Sequence, residues 1–308
     1  MTIKELWRYP VKSMAGERIS GTWVRANGFL GDRRYALVDT ETSEVICAKV
    51  PRKWGKVMNF GAEYVEEPVA GERMPALRIT FPDGSVHFSD SPRINSLLSA
   101  ELGRSVELTD TTTEPAASEA LWQVVEGHEA TDWTRQRTIG RVDNQDLVRW
   151  QLAEGVPAIG DEETFFDLAP MHVLTTGTLR HFQELAPGIS FDARRFRPNI
   201  VIDVAGNGFV EQGWVGQTMR IGEAGLLLTI PVPRCAMPTL EQRTFGLSAD
   251  RKVMQAVARH NTHEVEALGP GRWAIAGVYA NSTQDGYIDL DSRVHLEEAA
   301  PEIGLAPE

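Results

Sequence analysis

Short runs of β-branched and aromatic residues, separated by turn signals, dominate both ends of the 308-residue chain. The run "LRITFPDGSVHFS" (77–89) predicts a hairpin with Asp-Gly in its turn. The run "RRYALVDTETSEVICAKV" (33–50) predicts a second hairpin, and "WAIAGVYANSTQDGYIDLDSRVHL" (273–296) predicts a strand, a polar turn and a strand. Because these patterns are more numerous than helical ones, we expect a mainly β fold of the α+β class.

Helical patterns occur in three places. The segment "PRINSLLSAELG" (92–103) ends on a glycine, as helices often do. The segment "TTGTLRHFQELAPG" (175–188) begins with threonines that are suited to cap a helix, and "ADRKVMQAVARHN" (249–261) is the third. These segments predict a few helices at the periphery of the β structure.

The segment from about 104 to 140 is rich in threonine, glutamate and alanine, and it has weak periodicity. A chain of this length is long enough for two cores, since single cores stop growing at roughly 250 to 300 residues. We therefore expect an N-terminal β domain over residues 1–110 and a β-barrel with a few peripheral helices over residues 111–300.

The net charge of −12 argues against non-specific binding to nucleic acid or to an anionic membrane. The longest apolar runs are far shorter than the roughly 20 residues that span a bilayer, and the first residues have no signal-peptide core, so we expect a cytoplasmic protein. Two cysteines cannot form a disulfide framework, and no Cys-x-x-Cys pair is present to hold zinc or an iron–sulfur cluster. Any redox role must therefore take its electrons from a partner.

Against this acidic background, two N-terminal segments carry cations in positions that suit an anion. In "YPVKS" (9–13), Lys12 and Ser13 present an ammonium and a hydroxyl from a turn. In "GDRRYALVD" (31–39), Arg33 and Arg34 begin a strand, and strand alternation would send at most one of them into a given pocket. Each segment, taken alone, also fits an ordinary solvent-exposed role.

Two later segments add to this set. In "RRFRPNIVI", Arg197 and Asn199 flank Pro198 at the start of a predicted strand and could hold a flat ligand rigidly. In "HVLTTGTL", Thr175 and Thr176 lie between a strand and a helix N-terminus, whose free N–H groups favour an anion. For the first segment the alternative is an exposed arginine cluster, and for the second it is ordinary helix capping.

The segment "TIPVPRCAMPT" (229–239) holds Cys235 among three prolines and beside Arg234. The prolines favour a preorganised loop, and an arginine near the sulfur favours the thiolate, which binds metals or attacks electrophiles. Cys47, in the alternating run "SEVICAKV", fits an inert buried cysteine better.

Two other readings of the reactive residues remain open. A cysteine hydrolase would require Cys235 to meet a histidine and a carboxylate in space, and the sequence carries no signature for it. His260 and His263 are one helical turn apart in "HNTHE", but the pattern offers no further metal ligands and favours a solvated helix end.

Five segments, in order along the chain, resemble the MOSC-domain proteins, relatives of the molybdenum cofactor sulfurase C-terminal domain and of the mitochondrial amidoxime-reducing component. The segments are "YPVKS" (9–13), "GDRRYALVD" (31–39), "RFRPNIVI" (195–202), "PRC" with a threonine four residues on (233–239), and "AGVYA" (276–280). The resemblance covers nearly the whole chain and implies a MOSC-type β-barrel with its accompanying N-terminal β domain.

The resemblance implies binding of the pterin-based molybdenum cofactor, with Cys235 as the thiolate ligand of the metal. It further implies cofactor contacts from Lys12, Ser13, Arg34, Thr175, Thr176, Arg197, Asn199, Arg234 and Tyr279. The implied activity is reduction of a small N-hydroxylated or N-oxide substrate to the amine or amidine by oxygen-atom transfer. A separate ferredoxin or a flavin/NADH reductase would supply the electrons.

The loop after the cysteine (236–252) departs from the amidoxime-reducing members, because it lacks their run of threonines and their Asp-Pro turn. The resemblance therefore leaves the substrate preference open. Two alternatives remain: a non-catalytic carrier of the cofactor or of persulfide sulfur on Cys235, and a pocket for another phosphorylated anion.

Overall fold

The computed structural model describes residues 1–111, 117–122, 132–142, 145–151, 164–268 and 271–297. Its strands are β1 (Thr2–Arg8), β2 (Glu17–Ile19), β3 (Gly21–Arg25), β4 (Gly28–Phe29), β5 (Ala36–Asp39), β6 (Gly61–Tyr64), β7 (Leu77–Thr80), β8 (Val86–Phe88), β9 (Val106–Thr109), β10 (Ala117–Trp122), β11 (Thr138–Val142), β12 (Gln145–Gln151), β13 (Met171–Thr175), β14 (Ile200–Asp203), β15 (Thr218–Ile221), β16 (Ala224–Pro233), β17 (Thr262–Glu264), β18 (Arg272–Gln284), β19 (Gly286–Asp289) and β20 (Val294–Glu297). Its helices are α1 (Pro51–Trp54), α2 (Ile94–Leu102), α3 (Asp132–Arg137), α4 (Thr176–Leu185), α5 (Ala193–Phe196) and α6 (Arg251–His260). Strands predominate over helices, which confirms the mainly β, α+β class.

One sheet of nine strands organises much of the molecule. Eight of its strands lie in the order β2-β1-β14-β13-β18-β16-β15-β20, and β17 pairs with β18. Neighbouring strands are antiparallel except for β13 and β14, which are parallel because the chain crosses between them through α4 and α5. Since Thr2 pairs with Asp203 and Leu6 with Ile200, the first strand belongs to the same sheet as strands from the C-terminal half.

The inner face of this sheet forms a closed hydrophobic core. Leu6, Ile200, Leu226 and Val278 are fully buried there, and alternate residues of the same strands supply most of the remaining contacts. The small sheet β19-β3-β4 adds further side chains, including Ile288, to the same core. The two sheets therefore share one core.

A second core lies under the sheet β6-β7-β8 and helix α2. Phe60, Leu77, Ile79 and Leu98 are fully buried in it. The hairpin predicted over residues 77–89 is confirmed, since β7 pairs with β8 from opposite sides of the Asp-Gly turn. Alternation along β7 directs Leu77 and Ile79 to this core and leaves the intervening residue exposed.

The second predicted hairpin, over residues 33–50, forms only in part. Val38 and Val45 make an isolated antiparallel bridge, but β5 takes β9 as its main partner, with Asp39 opposite Val106. The prediction of a strand over "SEVICAKV" was therefore wrong for the residues after Val45, and Cys47 lies in no strand. The competing partner is far along the chain, and a local pattern does not indicate it.

The predicted strand–turn–strand over residues 273–296 is confirmed as a succession of strands. However, β19 pairs with β3 and β20 pairs with β15, so neither forms a hairpin with the long strand β18. The C-terminal strands therefore tie the small sheet and the large sheet together.

The three predicted helices are present, and their termini follow the expected capping chemistry. Thr175 caps α4 by accepting a hydrogen bond from the Thr178 N–H at 3.1 Å. Asp250 caps α6 by accepting from the Lys252 N–H at 2.9 Å. Helix α2 ends at Gly103, which has a φ of 70°, the left-handed conformation that favours glycine.

Residues 112–116 and 123–131 of the predicted boundary segment lie outside the described residues, as does the predicted domain end at residue 300. The described part of that segment contains β10, α3 and β11, and β10 and β11 both pair with β12. The division at residue 110 stays a prediction.

None of the helices in the described ranges is both long and apolar enough to cross a membrane.

Candidate functional site

A cavity of about 610 Å³ lies where several distant segments meet. This volume is in the range of small-molecule binding sites. The charged and sulfur-bearing side chains of its wall are Lys12, Arg33, Cys47, Lys49, Asp167, Arg197, Arg234, Cys235, Met171, Met237, Arg251 and Met254. The described wall thus contains six cationic side chains and one carboxylate, in a protein whose net charge is −12.

Most of the residues that the sequence analysis selected line this cavity. They are Lys12, Ser13, Arg197, Asn199, Arg234, Cys235 and Tyr279. The sheet order explains their convergence, because β1, β14, β13, β18 and β16 are successive neighbours. The loop after β1, the segment before β14 and the end of β16 therefore meet beside β18.

Arg34 lies outside this cavity. Its guanidinium donates to the Asp110 carbonyl and lies 3.8 Å from the Asp110 carboxylate, in the wall of a separate cavity of about 1040 Å³. Arg33 lines the candidate site instead. The expected strand alternation does not govern these two residues, because β5 begins only at Ala36.

Thr175 and Thr176 also lie outside the cavity wall. The Thr175 hydroxyl donates to the buried Glu211 carboxylate at 2.8 Å while it caps α4. The Thr176 hydroxyl donates to Asp203 at 2.7 Å. Both threonines therefore serve helix capping and local side-chain pairing, which was the alternative reading of this segment.

One half of the cavity, the arginine side, is formed by Arg33 and Arg197 around the ring of Tyr9. Their Cζ atoms lie 4.8 Å and 4.2 Å from the ring centroid, within the range of cation–π contacts. The Tyr9 side chain is fully buried, and its hydroxyl donates to the Pro198 carbonyl at 3.1 Å. Burial, and then the positive charge of Arg33, lower the pKa of Arg197 to about 10.

The buried carboxylate of Asp32 fixes the arginine side from behind. It accepts the Tyr9 N–H at 2.7 Å and the Asn199 amide at 3.0 Å, and it forms an ion pair with Arg33. The Asn199 carbonyl oxygen in turn accepts from Arg33 at 3.2 Å. The arginine side is therefore one connected network whose positions are set before any ligand arrives.

Three residues of the cavity wall have left-handed backbone conformations. Ser13, Arg33 and Arg197 have φ values of 67°, 47° and 56°. Such conformations cost on the order of 1 kcal/mol or more for residues other than glycine, and they cluster at functional sites. These strained residues lie in three of the segments that present polar groups to this cavity.

The other half, the lysine side, is formed by Lys12, Lys49 and Asp167. The two ammonium groups lie 2.6 Å and 2.8 Å from the two oxygens of the Asp167 carboxylate. Lys12 also donates to the Phe165 carbonyl at 2.7 Å. Burial raises the pKa of Asp167, but the two lysines outweigh it and hold that pKa well below its usual range, so the carboxylate is ionised.

Cys235 follows the end of β16. Pro231 and Pro233 belong to that strand, so the preorganised loop predicted around Cys235 begins only after Pro233. The register against β18 shifts at both prolines, because proline has no N–H to donate to the ladder. Cys235 is partly exposed in the cavity wall, and its other side packs against a small apolar cluster that includes Met237.

Two hydrogen bonds hold Arg234 beside Cys235, and its Nε donates to none of the described residues. Its backbone N–H donates to the Ala274 carbonyl at 2.8 Å, and its Nη2 donates to the Phe196 carbonyl at 2.9 Å. Its Nε is buried and has no hydrogen-bond partner within the part of the chain that the structure describes. Burial lowers the pKa of Arg234, and the Cys235 sulfur opposes that shift.

His172 and Tyr279 also line the cavity, and their rings contact each other. The His172 ring lies 6.2 Å from the Tyr279 ring, edge to face, and its Nε2 is 3.1 Å from the Ala276 carbonyl. Burial, and then Arg234, hold the pKa of His172 well below its usual value, so the ring is neutral. Gly277 has a φ of 89°, and a Cβ there would lie 2.0 Å from His172 Nε2. Only glycine fits this position.

The second cysteine lines the same cavity. Cys47 is 3% exposed, and the Ser13 hydroxyl lies between its sulfur, at 4.0 Å, and the Ala48 N–H, at 3.1 Å. Burial, and then the nearby Asp167 carboxylate, raise the pKa of the Cys47 thiol. Cys47 is therefore a protonated thiol, which suits the inert role expected from the sequence.

Lys49, Asp167 and His172 were not predicted from the sequence to belong to this site, and Arg33 was considered beside Arg34 but was not assigned to the cofactor. Lys49 follows Cys47 by two residues, in a segment that was interpreted as a strand. Asp167 is part of "FFDLAP", where it directly follows two buried aromatic residues, an unusual position for a carboxylate. Nothing local in the sequence indicates that the partners of this carboxylate are two lysines from the N-terminal third.

Two protein families match the chain. The MOSC N-terminal beta barrel domain matches residues 1–66, and the MOSC domain matches residues 161–295. None of the curated proteins compared with the chain matches it.

Solved structures show weaker likenesses. The crystal structure of YiiM from Geobacillus stearothermophilus is 15% identical over 42% of this chain and 55% of that chain, with a TM-score of 0.30. A second crystal structure, described as a hypothetical protein, is 16% identical over 46% of this chain and 57% of that chain, with a TM-score of 0.29. The chain thus spans little more than half the length of each.

Proposed function

This chain belongs to the MOSC-domain family, and we propose that it binds the molybdenum cofactor and reduces N-hydroxylated or N-oxide compounds. Some members of the family bind this cofactor, and some are enzymes that depend on it. The observation that carries the proposal is the convergence of one partly exposed thiol, Cys235, with six cationic side chains in the wall of a single cavity.

The donor set fits such a cofactor. Its phosphate and dithiolene are anionic, and cations from separate loops supply matching charge-assisted hydrogen bonds. The buried Arg234 Nε lacks a partner among the described residues, and an anionic ligand beside Cys235 would satisfy it. A soft thiolate also suits molybdenum better than a carboxylate does.

The two halves of the cavity would bind different parts of the cofactor. The arginine side, with Asn199, offers rigid bidentate donors that would orient a phosphate or a flat pterin edge. The lysine side and Ser13 would neutralise further negative charge. Since Arg34, Thr175 and Thr176 lie elsewhere, the proposal transfers their expected roles to Arg33 and Lys49.

When bound, the cofactor supplies the two-electron chemistry that removes oxygen from an N–O bond. In the net reaction, an N-hydroxylated compound takes up two electrons and two protons and gives the amine and one water. An external reductase of the ferredoxin or flavin class would provide the electrons. Asp167 is held ionised by its two lysines, so it is a counter-ion and not the proton donor, and the protons would come from water.

The test is to produce the protein in a host supplied with molybdate and to measure molybdenum by elemental analysis. We expect stoichiometric metal in the wild type, loss of metal in Cys235→Ser, and retention in Cys47→Ser, the matched control that also lines the cavity. With an artificial reductant, the wild type should convert benzamidoxime to benzamidine and Cys235→Ser should not.

The outcomes separate the alternatives. Protein without molybdenum would overturn the assignment of the cofactor. Fully loaded protein that reduces no amidoxime, hydroxylamine or N-oxide would overturn the reaction and leave a carrier. An intact mass with one additional sulfur on Cys235 and no metal would favour the persulfide carrier.

A further inference from the structure

One face of helix α6 lines the cavity. Arg251, Met254, Gln255 and Ala258 line the cavity, at the spacing of i, i+3, i+4 and i+7 that places residues on one side of a helix. The opposite side of α6 carries the buried residues, among them Val253 and Val257. Because that side is fixed in the core, the orientation of the lining face is fixed as well.

Much of the rest of the cavity wall is apolar. Its large side chains are Leu121, Phe166, Leu168, Met237, Met254 and Trp273. Flat and polarizable groups of this kind accommodate aromatic rings without demanding a particular hydrogen bond. This part of the cavity wall therefore suits a flat, apolar body.

Charge is distributed unevenly along the cavity. Asp167 is the one acidic side chain in the described wall, and its two oxygens are engaged by Lys12 and Lys49. Arg251 is the one cation on the α6 face, and its side chain is exposed. Within the described part of the chain its guanidinium forms no ion pair, since the carboxylate of the preceding Asp250 caps the helix at Lys252.

From this arrangement we infer that the cavity selects aromatic N-hydroxylated compounds that carry a carboxylate, with Arg251 as the residue that recognises the carboxylate. The inference rests on the proposed function and names its substrate class. The anionic cofactor of the proposed function would compensate the other cations of the wall, whereas Arg251, on the exposed face of α6, would be left to contact a substrate. A carboxylate there gains a guanidinium partner, and a cationic substituent meets repulsion.

The test compares three benzamidoximes of similar size, with a carboxylate, a hydrogen or a trimethylammonium group in the para position. We expect the loaded wild type to have its highest kcat/KM for the carboxylate and its lowest for the trimethylammonium compound. Arg251→Gln should lower kcat/KM for the carboxylate about fivefold, mainly through KM, as expected for loss of one ion pair at a partly exposed position. The neutral compound should change less than about twofold.

The matched control is Arg259→Gln, on the same helix and exposed but outside the cavity wall. It should leave all three substrates unchanged. An equal loss for all three compounds in Arg251→Gln would show a packing effect and overturn the inference. A wild type without any preference among the three charges would also overturn it, while leaving the proposed reaction intact.

A second readout does not depend on turnover. Isothermal titration calorimetry with 2-naphthoate and the uncharged 2-naphthamide should show tighter binding of naphthoate to the wild type. Arg251→Gln should reduce that difference, and Arg259→Gln should not. If this pattern appears although no N–O compound is reduced, the carboxylate recognition stands and the proposed function fails. Naphthoate binding that is insensitive to Arg251 would overturn the inference.

Discussion

The two halves of the cavity hold positive charge in different ways. On the arginine side, Arg33 and Arg197 rest against the ring of Tyr9, and Asp32 binds the network from behind. On the lysine side, both ammonium groups bind the single carboxylate of Asp167, which itself lines the cavity. The arginines are held by Tyr9 and Asp32, which do not line the cavity. The lysines are held by Asp167, which an incoming anion would contact.

This difference indicates two modes of anion binding in one site. The arginine side is preorganised, so a ligand there gains hydrogen bonds without rearranging the protein. The lysine side already has an internal anion, so a ligand there competes with Asp167 for the same donors. Three variants test whether the two halves differ in this way.

The largest effect is expected from Asp32→Asn. The amide would place an N–H group against the donors of Arg33 and Asn199, and the buried positive charge of Arg33 would lose its counter-ion. We expect the free energy of unfolding, measured by chemical denaturation, to fall by about 3 kcal/mol.

Asp110→Asn is the matched control for this variant, because Asp110 pairs with Arg34 but is 46% exposed. It should cost less than about 1 kcal/mol. A loss for Asp32→Asn that is no larger than the loss for Asp110→Asn would show that the carboxylate does not hold the arginine side.

A smaller effect, of opposite sign, is expected for anion binding in Asp167→Asn. Without the internal carboxylate, Lys12 and Lys49 are available to an external anion. In protein prepared without molybdate, the affinity for inorganic phosphate at low salt should rise about tenfold, which corresponds to about 1.4 kcal/mol. Calorimetric titration measures it, and Asp110→Asn again serves as the control. An unchanged or weaker affinity would mean that Asp167 does not compete with ligands.

The smallest effect is expected from Tyr9→Phe. This change keeps the ring under the two guanidinium groups and removes only the hydroxyl that donates to the Pro198 carbonyl at 3.1 Å. The free energy of unfolding should fall by about 1 kcal/mol, and phosphate affinity should stay within about twofold. A tenfold loss of phosphate affinity would show that the hydroxyl, and not only the ring, is needed to position the arginines.

Local sequence signals predicted the elements that are built from local interactions. The helices α2, α4 and α6 begin or end at caps that are read from a few adjacent residues, and the hairpin of β7 and β8 has its turn in its own sequence. The pairing of β5 with β9 was not predicted. The partner of a strand that lies far along the chain depends on the packing of the whole sheet and not on a local sequence pattern.

The same distinction applies to the site. Lys12, Arg197 and Cys235 were selected because each lies in a segment with unusual local chemistry. Arg33 was passed over for Arg34, since the choice depends on a left-handed backbone at one residue and on a ring supplied by another strand. Asp167 was not predicted, because its place in the site depends on ion pairs with two lysines that are more than a hundred residues earlier in the chain.

The pairing of β1 with β14 has a consequence for the order of events during biosynthesis. Thr2 finds its partner at Asp203, so the loop that carries Lys12 and Ser13 has no fixed position until the ribosome has made most of the polypeptide. Strand β18, which supplies Tyr279, is made later still. A nascent chain therefore cannot form the complete cavity before residues up to β18 have been made, and the proposed cofactor would bind only after that point.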